Sequence, residues 1–574
     1  MFPARAHTWH GILVYSLIAL LGVLLLYPIA LTIRGAFATD PATGEGFTLV
    51  HLANVFRDPV LTGGLWNSLK IAVTTTTLTI VLALPLAVVA ARYRYPLKGL
   101  WNAVILVPLI LPPFVGAIGA RAILGREGAL NALLGTEWDI LGGAKFWGVV
   151  AVQALALYPI IYLNATASLA NLDPALDEAA ENLGAGPWRR LFTVTLPLIR
   201  PGLFAGATIV FIWSFTELGT PLMFDYYNVT PVQVFYGLKE VENSAQPYAL
   251  TVVLLISALS MYAVGKFLLG RRGHAMYSKA ARAGGEKTLE GAGKFLAAGM
   301  FAGVTALALL PHAGVVLTSL SAPGTWYGTV LPRAFTLDHY ETALAAPDSF
   351  SAIVNSIRYA AAAVAVDLVL GVLIAYVIVR TGVRARHVLD TLCMLPLAVP
   401  GLVLAFGFVA VSLRWPFGKD GPLGEWASVL GATPNPVPFL VVAYAVRRLP
   451  YIVRSTVAGL EQTSGELEEA AVNLGATRVQ AVRRVIVPLI MANLIAGSLL
   501  VFSFSMLEVS DSLILAQQSQ HYPVTRAIFA FMERLGDGQY IASAMGVWGM
   551  ALLTVTLVGA SAILGKRLGS IFRV

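Results

Sequence analysis

The sequence predicts an all-α membrane protein that crosses the bilayer about twelve times, as two parallel repeats of six helices. Three observations support this fold class. Only 12% of the 574 residues are charged and 57% are hydrophobic, whereas soluble domains are about 25% charged. Long apolar runs recur along the chain, and the second half repeats motifs of the first. The composition excludes a soluble enzyme, a disordered chain and a secreted disulfide scaffold.

The predicted spans are apolar runs of roughly 20 residues, the length that a helix needs to cross the hydrocarbon core. They are too long and too uniformly apolar for the alternating strands of a membrane barrel. The first run exceeds the core of a cleaved signal peptide, so we expect it to remain as a membrane helix. The runs lie near residues 11–33, 67–91, 100–122, 146–169, 201–224, 249–270, 295–319, 355–379, 387–412, 437–457, 491–516 and 541–565.

The distribution of basic residues predicts the orientation of the spans. With both termini in the cytoplasm, about 26 of the 39 Lys and Arg residues fall on the cytoplasmic side, as membrane proteins prefer. The same bias accounts for the net charge of +8. We therefore expect membrane lipid, and no nucleic acid, to contact the chain.

An internal duplication relates the two halves of the chain. Asn67-Ser68-Leu69-Lys70 returns as Asn355-Ser356-Ile357-Arg358, an offset of 288 residues. A three-residue insertion then changes the offset to 291, at which Glu217 corresponds to Glu508. Further matches are Arg92 with Arg380, Pro108 with Pro396, Pro112 with Pro400, Gly119 with Gly407, Pro159 with Pro450, Glu178 with Glu469, Gly184 with Gly475 and Pro197 with Pro488.

The duplication predicts three segments: a first six-span half (1–270), a cytoplasmic linker (271–294) and a second six-span half (295–574). The linker is rich in glycine and charge and has no apolar face. Because each half has an even number of spans, both copies of any loop face the same side of the membrane. The halves are therefore expected to be related by an axis along the membrane normal.

A short helix is predicted in the loop between the fourth and fifth spans. Asp173 suits the N-cap and Pro174 the first helical position, while Gly184 suits the left-handed residue that ends a helix. Between them lies Glu178-Ala179-Ala180, whose alanines leave one face flat. About ten residues do not form a stable helix alone in water, so we expect a partner to pack on it.

The second half carries the same motif. Glu469-Ala470-Ala471 precedes Gly475, and after nine further residues comes Val485-Ile486-Val487-Pro488, as Val194-Thr195-Leu196-Pro197 follows Gly184. Thr463 and Glu466 have capping-box spacing at the start of this second helix. Identical spacing in two copies argues against an incidental interfacial helix rich in alanine and glutamate.

This motif, Glu-Ala-Ala, three residues, Gly, nine residues, Ile or Val, one residue and Leu-Pro, resembles the signature loop of ABC-importer permeases of bacteria and archaea. Val487 in place of leucine is a departure in the second copy. The resemblance implies a type I ABC importer permease fold in the bacterial inner membrane, where each loop forms a coupling helix that docks on an ATPase. It assigns ATPase coupling to Glu178, Ala179, Ala180, Gly184, Glu469, Ala470, Ala471 and Gly475.

The resemblance also implies partners: two copies of a cytoplasmic ABC ATPase subunit and a periplasmic substrate-binding protein. The chain itself lacks a P-loop, since its nearest string, Gly285-Glu286-Lys287-Thr288, does not have the pattern that cradles phosphate. We find no nucleophile–base pair of a membrane enzyme either. We therefore expect a transport subunit that is not an enzyme and has no cofactor, ATP and magnesium being bound by the ATPase.

The fusion of two six-span halves resembles the ferric-iron permeases, and the run 111–119 is similar to that branch. Thiamine and 2-aminoethylphosphonate permeases are close relatives, so an organic solute stays open as the substrate. A more distant alternative is a secondary transporter of the major facilitator type. That type lacks the paired loop, and its characteristic Asp- and Arg-rich loop is absent at 92–98.

Charged residues inside the predicted spans are candidates for the translocation pathway, because such residues are costly in a bilayer and usually functional. Glu217 lies about 24 Å from the cytoplasmic end of its span, at 1.5 Å per residue. Its repeat mate is Glu508, and Asp511 follows one turn later. These acids would attract a cation such as Fe³⁺; the alternative is that each caps a broken helix or pairs with a basic residue.

Two arginines are further candidates. Arg447 and Arg448 lie in the tenth span, whereas positions 156 and 157 of the first half are not basic. They suit an anionic substrate such as a phosphonate. The alternative is that they pair with Glu508, Asp511 or Asp367.

No tightly bound metal is expected in this chain. The single cysteine, Cys393, excludes an internal disulfide and any cysteine-based metal cluster. The eight histidines show no metal-ligand spacing on a helix. A separate binding protein would therefore have to select the substrate.

Overall fold

The computed structural model describes residues 4–40, 43–139, 141, 145–269 and 287–564. These residues are mostly helical, and within them the strands are two residues long: β1 (Tyr93–Arg94) pairs in parallel with β2 (Lys287–Thr288). The all-α prediction is confirmed. Most of the predicted linker and the predicted cytoplasmic tail from Lys566 lie outside the described residues.

The described residues of the first half form fourteen α-helices, with π-helical turns at Gly22–Leu26 and Leu191–Thr195 and 3₁₀ turns at Val107–Ile110 and Leu238–Glu240. The helices are α1 (Ala4–Leu21), α2 (Tyr27–Phe37), α3 (Val50–Arg57), α4 (Pro59–Arg92), α5 (Lys98–Val104), α6 (Pro113–Leu124), α7 (Ala129–Leu134), α8 (Phe146–Ala170), α9 (Pro174–Asn182), α10 (Pro187–Arg190), α11 (Leu196–Phe215), α12 (Gly219–Met223), α13 (Thr230–Gly237) and α14 (Gln246–Leu269).

The described residues of the second half repeat this order, with a π-helical turn at Val482–Ile486 and a 3₁₀ turn at Ser519–His521. The helices are α15 (Ala292–Leu320), α16 (Asp338–Ala345), α17 (Pro347–Arg380), α18 (Arg386–Ala398), α19 (Gly401–Ser412), α20 (Val437–Glu461), α21 (Glu466–Asn473), α22 (Arg478–Ala481), α23 (Val487–Leu489), α24 (Met491–Met506), α25 (Ser510–Leu515), α26 (Val524–Met532) and α27 (Gly538–Leu564). α4 and α17 both have 34 residues, and α8 and α20 both have 25.

The number of membrane spans depends on how broken helices are counted. Within the described residues, eight helices are long and apolar enough to cross a membrane, or up to eleven if each of three bent pairs is one span. The tenth predicted span, 437–457, is not among these eleven; it forms α20, which is about 37 Å long at 1.5 Å per residue. Its arginines make it less apolar than the others. The prediction of a polytopic helical membrane protein is confirmed.

Two spans predicted as continuous, 100–122 and 387–412, are sharply bent. The helices on either side of the break meet at 98° in the first case and 104° in the second. The break follows Leu111 and Val399, which are extended with ψ of 121° and 128°. Proline comes next in both places and disfavours the helical conformation of the residue before it.

The described chain forms two compact units, and each unit contains segments of both sequence halves. The first unit comprises the described residues up to Thr62, those in Thr230–Leu255 and those from Leu337 to Leu564, and the second comprises the described residues of Gly63–Val229 and Ile256–Thr336. In the first unit α2 packs on α19, and in the second α15 packs on α6. The halves predicted from the duplication are thus segments of sequence. In the compact units, the first long helix of each half packs with helices of the other half, so the two halves exchange this helix.

A glycine in each unit makes this exchange sterically possible. A Cβ atom on Gly119 of α6 would lie 2.0 Å from the carbonyl oxygen of Pro311 in α15. A Cβ atom on Gly407 of α19 would lie 2.8 Å from the Cβ of Pro28 in α2. Only glycine allows each helix pair to approach so closely. The two glycines are repeat mates at the offset of 288, so the duplication preserves this close packing.

We expect Gly119→Ala to destabilise the purified protein by about 1–3 kcal/mol, because α15 must move to admit the methyl group. The measurement is the midpoint of thermal unfolding in detergent. The matched control is Gly99→Ala in α5, where an added Cβ meets no atom within 4 Å. Equal midpoints for the two variants would contradict the close packing of α6 on α15.

Candidate functional site

The two motif helices are present as α9 and α21. α9 begins after Asp173, whose side-chain oxygen accepts a hydrogen bond from the Ala175 amide at 3.0 Å, as the N-cap prediction requires. Gly184 and Gly475 have φ of +79° and +95°. Both glycines therefore adopt the left-handed conformation that ends a helix.

The glycine end has the same hydrogen bonds in both copies. The Ala185 amide donates to the Ala180 carbonyl at 3.0 Å, and the Ala476 amide donates to the Ala471 carbonyl at 3.1 Å. These bonds satisfy carbonyls that a helix end would otherwise leave free. The chain consequently leaves both helices in the same way.

The start of α21 differs from the prediction. The Glu466 amide donates to Ser464 Oγ at 3.2 Å, and the N-cap residue, Gly465, offers no side chain. The Thr463 hydroxyl donates to the Leu460 carbonyl and accepts from Arg380 Nη2, both at 3.0 Å. The predicted capping box of Thr463 and Glu466 is therefore wrong, because the hydroxyl is engaged elsewhere.

The motif residues lie at the surface of their units. Within the motif, the second alanine is half-buried in each copy, at 180 and 471. The exposed motif residues are Glu178, Ala179, Gly184, Glu469, Ala470 and Gly475. These six are accessible to a partner protein.

Two exposed leucines enlarge this surface. Leu183 and Leu474 precede the motif glycines and are 88% and 89% exposed. Because they recur at matched places beside the exposed motif residues, the two leucines are candidates for the same contact with a partner. Neither leucine was predicted from the sequence to be functional, although Asn-Leu-Gly ends both motifs and this recurrence was a usable signal.

Glu181, near the end of α9, is engaged within the chain. Its carboxylate forms a hydrogen bond with Arg190, and Lys287 Nζ lies 3.6 Å away. The hydrogen bond and charge of Arg190, with the charge of Lys287, lower the pKa of Glu181. Glu181 therefore stays ionised and bound, while Glu178 remains exposed.

Glu217 lies where its predicted span breaks. α11 ends at Phe215 and α12 begins at Gly219. One oxygen of its carboxylate accepts hydrogen bonds from the amide and the hydroxyl of Thr220, at 3.2 and 3.3 Å. The structure therefore has the capping arrangement that was the alternative for this residue.

Glu508 occupies the equivalent break between α24 and α25, but it pairs with arginines. Arg447 Nη1 donates to Glu508 Oε1 at 2.5 Å and lies 3.5 Å from Asp511 Oδ2. Arg448 binds the other oxygen of Glu508. Glu508 is 4% exposed and Asp511 is fully buried. The arginines therefore pair with acids of their own unit, the alternative raised for them.

A glycine accommodates this charge cluster. A Cβ atom on Gly401, at the start of α19, would lie 2.0 Å from the guanidinium carbon of Arg447. The repeat-equivalent residue in the first half is Pro113, and that half has no such arginine. The missing side chain of Gly401 thus leaves room for Arg447, and this combination occurs in the second half and not in the first.

The pathway role of these charged residues remains a prediction. Asp367, the third acid considered for the arginines, is 1% exposed, and its carboxylate has no hydrogen-bond partner within the described residues. No group of three or more His, Cys, Asp or Glu residues in the described part of the chain is placed to hold a metal ion.

Comparisons with known proteins match both halves. The family described as "Binding-protein-dependent transport system inner membrane component" matches residues 83–274 and 367–570. The ferric transport system permease protein FbpB of Actinobacillus pleuropneumoniae is 24% identical over 548 residues, which cover 92% of this chain and 75% of that protein. The molybdenum transport system permease protein ModB of Haemophilus influenzae is 35% identical over 157 residues, which cover 27% of this chain and 69% of that protein.

Among solved structures, a bacterial ABC transporter involved in the import of the acidic polysaccharide alginate is similar to this chain. The match covers 47% of this chain and 97% of that chain, with 14% identity and a TM-score of 0.39.

Proposed function

The chain belongs to the family of binding-protein-dependent transport system inner membrane components, and on this premise we propose that it carries ferric iron into the cell. It is the permease of an ABC importer in the inner membrane. In the proposed system a periplasmic binding protein delivers the iron. Two copies of a separate ATPase subunit supply the energy through α9 and α21.

The extent of the alignments supports iron as the substrate. The ferric permease FbpB aligns with 92% of the chain, including both halves, whereas the molybdenum permease ModB aligns with 27%. The relative named for ferric transport therefore matches the fused organisation of this chain. Fe³⁺ is the substrate in this proposal, and it passes through the chain without a resident metal site.

The exposed surfaces of α9 and α21 support ATPase docking. α9 has 9 residues and α21 has 8, lengths that need a partner for stability. Their alanines permit close approach, as in other helix-in-groove contacts. Leu183 and Leu474 supply apolar area, while Glu178 and Glu469 supply a charge that a basic groove residue would meet.

The transport cycle follows as a population shift driven by nucleotide. ATP binding brings the two ATPase subunits together and moves α9 and α21 with them, which opens the permease outward. ATP hydrolysis returns it to the inward state. The loaded binding protein docks on the periplasmic loops, mainly 35–65, 225–248, 320–353 and 517–540. The excess of Lys and Arg on the opposite side supports cytoplasmic termini.

The proposed substrate is tested by uptake of radiolabelled Fe³⁺ in cells with and without this gene, its ATPase and binding protein being left in place. We expect deletion to remove the uptake and a plasmid copy to restore it. Molybdate uptake in the same cells is the control and should not change. Unchanged iron uptake after deletion would reject iron and favour an organic or anionic solute.

A further inference from the structure

Each motif helix carries two adjacent acids with different environments. Glu178 and Glu469 are exposed, whereas the preceding residues, Asp177 and Glu468, are half-buried. Successive residues of an α-helix point about 100° apart. A contact that holds the first acid against the unit therefore sets the direction in which the second one points.

In the first copy the contact is made by Arg92, the last residue of α4. Its Nη2 atom donates to Asp177 Oδ1 at 3.2 Å and to Thr195 Oγ1 at 2.5 Å. Arg190 Nη1 lies 3.6 Å from the other oxygen of Asp177. One side chain thus joins the end of α4, the middle of α9 and the turn that leads into α11.

In the second copy the contact is made by Tyr376, one turn before the end of α17. Its hydroxyl donates to Glu468 Oε1 at 2.5 Å. Arg380, the repeat mate of Arg92, holds the chain that leads into α21. Its Nη2 atom donates to the carbonyl oxygens of Thr463 and Leu460 at 2.8 and 3.1 Å.

The two copies reach the same arrangement by different chemistry. Asp177 and Glu468 are repeat mates at an offset of 291. The position equivalent to Tyr376 is Val88, which has no donor, so the first copy uses Arg92 instead. Different donors therefore hold the acid at the same position of the motif. What the two copies share is a tie between this acid and the long helix, and not one particular pair of residues.

We propose that Arg92 and Tyr376 are positioning residues that fix the rotation of α9 and α21 and tie these helices to α4 and α17. The proposal rests on the proposed function, in which both helices dock on ATPase subunits. Asp177 and Glu468 are the acids turned toward the permease, and Glu178 and Glu469 are left for the partner. Movement of a docked helix then reaches α4 or α17 directly, besides the spans that flank each motif in sequence.

The small energy of these contacts favours a role in positioning the helices over a role in stabilising the fold. The side chains of Arg92 and Asp177 are 25% and 31% exposed, and partly exposed ion pairs contribute little to the free energy of unfolding. Apart from the contacts of Arg190 and Lys287 with α9, a short helix with few buried residues has little else to fix its rotation. Loss of the contact should therefore loosen α9 without unfolding the unit.

The test measures distances between spin labels on introduced cysteines in a Cys393→Ala background. One pair, Lys70→Cys with Asn182→Cys, joins α4 to α9. The other pair, Arg358→Cys with Asn473→Cys, occupies the equivalent positions in the second copy. All four residues are exposed. Each pair is measured in the full chain in lipid nanodiscs, with and without its ATPase.

We expect Arg92→Leu to broaden the distance distribution of the first pair alone, and Tyr376→Phe to broaden that of the second pair alone. Each pair is thereby the control for the other. Arg384→Leu, which removes an exposed arginine, should change neither. Narrow, unchanged distributions in both Arg92→Leu and Tyr376→Phe would overturn the proposal, as would equal broadening by Arg384→Leu.

Coupling provides a second readout. In proteoliposomes with the ATPase and binding protein, Fe³⁺ taken up per ATP hydrolysed should fall about fivefold or more in Arg92→Leu and in Tyr376→Phe, while the ATPase still co-purifies. Tyr376→Phe removes a single hydroxyl, so it is the variant least expected to disturb folding. Failure of the unsubstituted chain to bind the ATPase would reject the proposed function, whereas the label distances test the positioning residues in either case.

Discussion

Replacing Gly184 and Gly475 with valine is expected to abolish uptake while leaving the protein in the membrane. Both glycines have positive φ, a conformation that is strained for a β-branched residue. An added Cβ meets no atom within 4 Å at either position, so no clash within the permease is expected. The strain, about 1–3 kcal/mol per residue, should instead reshape the end of each motif helix and move Leu183 and Leu474.

The measurement is transport by the purified complex, alongside co-purification of the ATPase and the yield of permease in membranes. Gly135→Val is a matched control, because Gly135 also has a positive φ of +65° with no atom near its Cβ position, but it lies outside the motif. Gly184→Asn should retain more activity than Gly184→Val, since asparagine tolerates the left-handed region. Normal uptake by the double valine variant would reject the coupling assignment.

Glu508→Gln is expected to destabilise the folded protein by about 3–5 kcal/mol, because it leaves two half-buried arginines without the buried charge that they share. Arg447 and Arg448 bind separate oxygens of this carboxylate. A glutamine has one acceptor oxygen and an amide group that repels a second guanidinium. The measurement is the thermal unfolding midpoint in detergent, together with the yield of folded protein from membranes.

Glu217→Gln is the matched control at the repeat-equivalent position. Glu217 accepts hydrogen bonds from Thr220 through one oxygen, and the amide oxygen of glutamine can accept the same bonds. We expect little change in its unfolding midpoint. A similar midpoint for both variants would contradict the role of Glu508 as the centre of a buried ion-pair cluster.

The same two variants test the pathway hypothesis. Transport is compared per folded molecule, so that lost stability is not counted as lost activity. A pathway role predicts reduced Fe³⁺ transport in Glu217→Gln even though its fold is intact. Normal transport with intact ATPase coupling would assign Glu217 to capping alone.

Local rules predicted the motif helices well, because their signals lie within a few residues. Asp173 caps α9 and Gly184 ends it, as expected from their side-chain chemistry and backbone freedom. The capping box at Thr463 failed because a distant residue, Arg380, occupies the hydroxyl. A sequence pattern carries no information about that competitor.

The class of protein, the duplication and the positions of nearly all helices could be predicted from the sequence, since apolar runs and their spacing express the requirements of a bilayer. The folded structure established which acids have partners within the chain: Asp177 and Glu468 contact their own units, and Glu508 is paired with two arginines. It also decided that α2 and α15 pack with the opposite sequence half. These outcomes depend on contacts between residues about 60 to more than 300 positions apart, and such contacts arise only when the chain has folded around them.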